Sequence, residues 1–317
     1  MPRSNEIKMD HEALLYEKLT DIAGEGNVAA NEPMSRHCTF RAGGRARFLV
    51  SIQDENALLG LMDLIREEGL EWFLLGNGSN LLVSDAGYDG VMIRLGRGFE
   101  YIETDGETIN AGGAATLARI AAAAAAGSLG GMEFASGIPG TLGGALNMNA
   151  GAYGGEMKDI VKDVRIYFLD KGIMTLDNEA MMFAYRDSVL KRRRGIVLGS
   201  SLKLSTADRA DILDKTAELN RQRREKQPLE YPSAGSTFKR PEGYFAGKLI
   251  ADAGCKGMCV GDACVSEKHA GFVINKGNAT AGDIYRLMCR IQKSVRQSFD
   301  VVLEPEVILL GAFEENE

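Results

Sequence analysis

Two glycine-dense stretches constrain this chain more than any other feature. The first, Gly76-Asn77-Gly78-Ser79-Asn80, follows directly on the apolar run Trp72-Phe73-Leu74-Leu75. The second opens at Ser136-Gly137-Ile138-Pro139-Gly140, continues through Gly143 and Gly144, and ends at Gly155. Glycine at such density weakens packing and backbone order unless the main chain must take positive φ or something must lie close against it. Successive N–H groups in such a turn form an anion-binding concavity that suits a pyrophosphate. The first stretch is neither a Walker loop nor a GxGxxG turn, and taken alone it reads equally as a hairpin with an Asn-Gly turn. Two such loops together favour a long diphosphate-bearing ligand gripped from both sides, a dinucleotide rather than a mononucleotide.

The surrounding pattern is mixed. Residues 10–25 read as an amphipathic helix closed by Gly24 and Gly26, and 54–69 as a helix with Asp54 at its N-cap and Gly69 as its stop. Ala115 to Ala126 is an alanine-rich helix, and 210–226 a polar, basic one broken by Pro228. Strands are expected at 47–52, 72–75, around 81–83, at 90–95, 161–169, 172–176, 196–204, 271–275 and 301–310. The stretch Asn178 to Ala184 reads as helical. Further helices are expected at 245–253 and 280–299, the latter opening with the box Thr280-Ala281-Gly282-Asp283. The preferred domain boundary lies near residue 206.

Composition narrows the partners. With 45% hydrophobic and 26% charged residues the chain is an ordinary globular one, and a formal charge of −7 disfavours nucleic acid and anionic membranes. The apolar stretch 117–129 is shorter than the roughly 20 residues a membrane span needs. The polar N-terminus lacks an export-type apolar run, so a cytoplasmic protein is expected. Five cysteines, an odd number, then read as reduced thiols, and the group Cys255, Cys259 and Cys264 lacks the paired spacing of a zinc site. No metal is expected.

The segment GNGSNLLVSDAGYDGVMIRL resembles the FAD-binding domain of the vanillyl-alcohol-oxidase and p-cresol-methylhydroxylase superfamily. Together with SGIPGTLGGALNMNAGAYGGE it resembles the UDP-N-acetylenolpyruvoylglucosamine reductase family, over almost the whole span 39–310. The resemblance implies an α+β fold: an N-terminal lead-in at 1–38, a two-subdomain FAD-binding domain at 39–205, and a substrate-binding domain at 206–317 whose last strand returns to the flavin. It is similar to the shorter form of the family, without a long insertion after the YRDS segment. Gly76, Asn77, Gly78, Ser79, Asn80 and Leu81, with Ser136, Gly137, Ile138, Pro139, Gly140 and Gly143, would then hold FAD.

The same resemblance assigns the chemistry. Alone, Arg186 in Tyr185-Arg186-Asp187-Ser188 reads as a surface or capping residue, Ser236 in GSTFKRP as a loop hydroxyl, and Glu306 as a surface carboxylate. With no GxSxG and only three histidines in the chain, a serine triad has little support. The family implies that Arg186 and Glu306 stabilise an enolate and that Ser236 protonates it. Reduced FAD, replenished by NADPH, delivers hydride to the enolpyruvyl group of UDP-N-acetylglucosamine enolpyruvate. Tyr185, Arg223, Arg240 and His269 are the expected substrate contacts. One departure stands out: Ile308 occupies a position where the family often has arginine, which puts one phosphate or carboxylate contact in doubt. A monomer is expected. A sugar or alcohol oxidase on the same scaffold, and a non-catalytic flavin-binding module, are the competing readings.

Overall fold

The computed structural model describes residues 3–314, with side chains from residue 11 onward. The first unit runs α1 (Arg3–Ala23), β1 (Val28–Pro33), β2 (Arg45–Ile52), α2 (Glu55–Glu67), β3 (Trp72–Leu74), β4 (Leu81–Val83) and β5 (Tyr88–Leu95). Its sheet has the order β1-β2-β5-β3, with β1 antiparallel to β2 and the rest parallel. Asp54 caps α2 by accepting from the Ala57 N–H at 2.9 Å, and Leu58, Leu61, Met62 and Ile65 turn inward at helical spacing. They meet Phe48, Val50, Val91 and Ile93 of the sheet.

The second unit holds β6 (Ile102–Asp105), β7 (Thr108–Gly112), α3 (Leu117–Ala126), α4 (Leu142–Asn147), β8 (Val161–Phe168), β9 (Gly172–Asp177), α5 (Val189–Arg192) and β10 (Gly195–Lys203). They form an antiparallel sheet of order β9-β8-β10-β7-β6. The hairpin β6–β7 turns on the two-residue loop Gly106-Glu107, where Gly106 has φ +57°. Glycine opening a two-residue loop between alternating residues is a hairpin signal, one absent from the expectations above.

The remainder comprises α6 (Arg209–Lys226), α7 (Ala246–Asp252), β11 (Cys259–Val260), β12 (Ala263–Val265), β13 (Val273–Asn275), α8 (Ala281–Phe299) and β14 (Ile308–Leu310). The expected capping box is present: Thr280 Oγ1 accepts from the Asp283 N–H and Asp283 accepts from the Thr280 N–H, both at 3.0 Å. Ile284, Leu287, Met288, Ile291 and Val295 form the buried stripe of α8. Their core also takes in Phe40, Ala42 and Leu82 from the first unit. No helix among the described residues is long and apolar enough to cross a membrane.

Three sequence expectations need correction. Asn178 to Ala184 is a run of turns with Met182 at φ +50°, not a helix. Asn178 instead donates from its side chain to the carbonyls of Lys158 and Val161, which ties the segment to the sheet as a turn. The strand expected at 301–310 is regular only at Ile308–Leu310; before it, Pro305 makes an isolated bridge to Phe238. The thiols are not all reduced. Cys259 and Cys264 stand directly opposite each other across the β11–β12 pair and form a disulfide. The hairpin supplies that juxtaposition, which a spacing of five in the sequence does not reveal.

One contact fastens the last unit to the first. Asp85, just past β4, accepts from the first two N–H groups of α8, Ala281 at 2.9 Å and Gly282 at 2.7 Å. Helix N-termini leave such donors unsatisfied and favour negative charge. Replacing this carboxylate (Asp85→Ala) is expected to cost about 1 kcal/mol, the usual worth of a helix cap. Urea denaturation checks this; an unchanged midpoint would mean that water satisfies α8 equally well.

Candidate active site

The first glycine loop is not a hairpin. β3 and β4 on either side of it pair with different partners, β3 with β5 and β4 with β14. The turn is therefore free to project its backbone. The N–H groups of Gly76, Asn77, Gly78, Ser79 and Asn80 find no acceptor among the described residues. The Gly78 carbonyl is held by the Thr39 N–H at 3.1 Å, which orients the turn from below. Gly78 has φ +60°, and a Cβ there would collide with the carbonyl oxygen of His37. Gly76 faces the second loop, where a Cβ would come 2.9 Å from Thr141 Oγ1. Both loops thus meet at one cavity of about 790 Å³.

Gly76 to Leu81, Ile138, Gly140 and Gly143 line this cavity. Ser136, Gly137 and Pro139 do not: the Ser136 hydroxyl donates to the Glu133 carbonyl at 2.9 Å, and Gly137 packs under Asn220 and Arg223 of α6. The second loop also differs in kind. Its N–H groups are largely used internally, Leu142 to Ala115 at 2.8 Å and Gly143 to Gly113 at 2.9 Å, so it contributes close approach rather than donors. Free donors on one wall, a glycine surface on the other and a volume in the range of small-molecule sites fit the expected FAD.

The sequence reading did not include the cations of this cavity. Arg94 lines it, and its Nη2 donates at 2.8 Å to Nδ1 of His37, whose Nε2 lies 2.9 Å from Glu32 Oε1. If Nε2–H faces the carboxylate, Nδ1 is the acceptor that Arg94 needs. Burial pulls the Arg94 guanidinium below its ordinary value, against the pull of Glu32 and Cys38. The signal was present as a charge inside the otherwise apolar run Val91-Met92-Ile93-Arg94-Leu95. Beside it, burial pushes the Cys38 thiol up to about 12, which keeps it protonated and unreactive.

At the cavity's edge the three distant motifs converge. Asn80 Nδ2 donates to the Glu306 carbonyl at 2.8 Å, and the Glu306 N–H donates to the Thr237 carbonyl at 2.9 Å. Those bonds place Glu306 between the glycine loop and the residue after Ser236. Arg186 Nε donates to Glu306 Oε1 at 2.7 Å, and its Nη2 to the Gly151 carbonyl at 3.2 Å. The two side chains are only 19% and 12% exposed, which removes them from most of the screening that weakens surface pairs. Burial lifts the Glu306 carboxyl above its ordinary value, against the pull of Arg186, Lys191 and Lys239. Ser236 is exposed, and its hydroxyl has no partner among the described residues.

The expected substrate contacts divide. Tyr185 joins the group, its hydroxyl accepting from the Arg240 N–H at 3.1 Å, while the Arg240 guanidinium lies 3.8 Å from the Phe245 ring centroid. His269 lies two residues before Gly271, whose carbonyl accepts from the N–H of Thr237, the residue after Ser236, at 2.9 Å. Its Nδ1 accepts from the Gly271 N–H at 3.2 Å and its ring meets Phe272 edge-on. Arg223 stands apart, under the second loop and facing Tyr153. Ile308 forms part of the cavity wall, paired with Leu81. Among the described residues no group of three or more His, Cys, Asp or Glu could hold a metal.

Two outcomes follow from this geometry. Gly78→Ala forces a side chain into a left-handed position against the His37 carbonyl, so bound flavin, read from visible absorbance, should fall at least about tenfold, or ~1.4 kcal/mol. Full flavin content would show that the loop does not grip the cofactor. The second concerns pH. Because the native carboxyl of Glu306 sits above 4.5, its contribution is present while protonated and is lost as pH rises through the interval above that value. The stability difference should therefore move in favour of Glu306→Gln between about pH 4 and about pH 8, measured by denaturation at each. A movement the other way would mean that Arg186 outweighs burial.

Comparison with known proteins agrees with this geometry. Residues 46–176 match the model of an FAD binding domain, and residues 227–310 that of the UDP-N-acetylenolpyruvoylglucosamine reductase C-terminal domain. The UDP-N-acetylenolpyruvoylglucosamine reductase of Caldanaerobacter subterraneus subsp. tengcongensis is 49% identical over 298 residues, 94% of this chain and 98% of its own. That of Clostridium perfringens is 45% identical over 296 residues, 93% of this chain and 97% of its own. A crystal structure of the reductase from Thermus caldophilus superimposes with a TM-score of 0.77 at 34% identity, covering 90% of this chain and 98% of that one. The α+β fold with its FAD-binding half is therefore that of a known enzyme group, and the chain belongs to the UDP-N-acetylenolpyruvoylglucosamine reductase family.

Proposed function

We propose that Arg186, Ser236 and Glu306 carry the substrate half of the reaction this family catalyses. That reaction is the reduction of UDP-N-acetylglucosamine enolpyruvate to UDP-N-acetylmuramate, with NADPH as reductant, in peptidoglycan precursor synthesis. Gly76 to Leu81, with Ile138, Gly140 and Gly143, would hold FAD, which would supply the hydride-transfer chemistry between NADPH and the enolpyruvyl double bond. The chain's own work is to stabilise the charge that hydride addition creates and to supply the proton that quenches it.

The observation that carries the assignment is the Arg186–Glu306 pair at 2.7 Å, tied through Asn80 to the cofactor loop and through Thr237 to the serine segment. Hydride addition to the terminal vinyl carbon pushes negative charge onto the neighbouring carbon and its carboxylate. A guanidinium already fixed by two acceptors is a preorganised partner for that charge, with no reorganisation at the moment of reaction. Glu306 orients the guanidinium through the Nε bond. A free serine hydroxyl is a weak acid toward water but a competent one toward a carbon acid's conjugate base, which is far more basic.

The surrounding cations, Lys239 and Arg240 on the serine segment, suit the diphosphate and carboxylate of the substrate. Tyr185, Arg223 and His269 remain candidates for contact with it. The FAD half extends over 39–205 and the substrate half over 206–317, and the proposed boundary falls between the two matched family spans, 46–176 and 227–310. The protein acts as a monomer in the cytoplasm, on a free nucleotide sugar, independent of membranes and nucleic acid.

Ser236→Ala separates the two half-reactions. Flavin reduction by NADPH should stay near its parent rate, while reoxidation by the enolpyruvyl substrate slows by about 10²–10⁴-fold, the usual worth of general acid catalysis. Anaerobic stopped-flow absorbance reads both. Equal losses in the two half-reactions would remove Ser236 from the proton-donor role.

A further inference from the structure

Arg186 is held in an unusual way. Its backbone lies in the left-handed region at φ +54°, where a residue with a Cβ is strained. A tight turn supports it on either side, with the Ala184 N–H donating to the Asp187 carbonyl at 3.1 Å and the Asp187 N–H returning to Ala184 at 3.2 Å. The carbonyl of Arg186 itself points out of that turn. It accepts from Lys191 Nζ at 2.7 Å.

Lys191 comes from α5, the four-residue helix that follows. Ser188 anchors α5 by capping the Leu190 N–H and donating to the Asn147 carbonyl at 2.9 Å, and Arg192 pairs with Asp187 at 2.7 Å. The helix is thus fixed at both ends to the segments flanking the cavity, and Lys191 is the member that reaches back. The side chain is exposed along much of its length, so this is no buried structural cation. Yet it lies within the electrostatic field of Glu306, with Arg186, Asp187 and Lys239 as the other charges facing it.

We propose that Lys191 is a positioning residue for the reduction: its ammonium fastens the Arg186 carbonyl, fixes the left-handed turn, and so aims the guanidinium at Glu306 and the substrate. This rests on the reading that Arg186 serves the substrate half-reaction. Without the ammonium the strained turn relaxes toward ordinary φ values, and the guanidinium leaves the line set by Glu306 Oε1 and the Gly151 carbonyl. Partial desolvation, then Lys239 and Arg186, pull the Lys191 ammonium below its ordinary value, against Asp187 and Glu306. The fastening is therefore full while the ammonium is charged and weakens as pH rises through that lowered value.

The test uses the FAD-loaded enzyme with Lys191→Met, Lys191→Arg and Arg186→Ala, each half-reaction followed by anaerobic stopped-flow across the alkaline range. Lys191→Met should reduce with NADPH at near the parent rate but reoxidise about tenfold to a hundredfold more slowly, the scale of a misaimed catalytic group. Its alkaline loss of reoxidation rate should vanish. Lys191→Arg, still able to donate to the carbonyl, should recover most of the rate and carry that loss to higher pH. If Lys191→Met keeps the parent reoxidation rate and alkaline profile while Arg186→Ala loses the rate, the proposal fails and the Arg186 assignment stands. If Arg186→Ala itself reoxidises normally, the underlying reading fails instead. Equal slowing of both half-reactions by Lys191→Met, with no rescue by arginine, would reduce Lys191 to a structural role and overturn the proposal.

Discussion

The parallel pairing of β14 with β4 is the contact on which the rest of the site depends. It joins Ile308–Leu310 to Leu81–Val83, immediately after the glycine loop, and so brings Glu306 to Asn80 across 226 positions of sequence. Such a closure is entropically expensive, since loop-closure cost grows with the length enclosed. It is offset locally by the shared core of Phe40, Leu82, Leu303 and Val307, all buried, and by Asp85 on the N-terminus of α8. The first glycine loop and Glu306 therefore sit just ahead of two paired strands. Neither can shift without moving the other.

That arrangement explains why an ion pair is retained where apolar packing would serve stability as well or better. Desolvating two charges costs several kcal/mol each, roughly, before their attraction repays it. Burial raises the proton affinity of Glu306 despite the adjoining guanidinium, which means desolvation is the larger influence on it. What the pair supplies is direction. Arg186 spends Nε on Glu306 and Nη2 on the Gly151 carbonyl, which fixes the plane of its rigid fork and leaves its other donors for a further acceptor.

The local chemistry of the site was legible in the chain; its assembly was not. Gly76 to Asn80 alone read equally as a hairpin turn; only with the second glycine stretch do they point to a projecting backbone, and the structure leaves their N–H groups free. Asp54, Thr280 and Asp283 cap helices as their spacing requires. The family likeness of the YRDS and GSTFKRP segments pointed to Arg186 and Ser236, yet nothing in their own neighbourhoods fixed the partner of either. Arg94 is marked by its charge within an apolar run, but its partners His37 and Glu32 lie more than fifty positions away, so their association is set only by the fold. The disulfide escaped for the opposite reason. Its cysteines are close in sequence, but only the β11–β12 register sets them face to face.

Strain around the site follows the same logic of mutual support. Asn149, Tyr153, Met182 and Arg186 all carry positive φ, and all lie in the two segments that bracket the guanidinium. Left-handed non-glycine residues cost of order 1 kcal/mol or more each and persist only where the surroundings over-determine them. Asn149 shows how this is done. Fully buried, it donates from one amide to Glu156 Oε2 at 2.9 Å and the Ala184 carbonyl at 3.1 Å, and its own oxygen accepts from the Lys158 N–H at 2.9 Å. One side chain thereby ties the end of the second glycine stretch to the turn that presents Arg186. Asn149 thus supports the turn that carries Arg186 from within the glycine stretch, where Gly140 and Gly143 line the cavity.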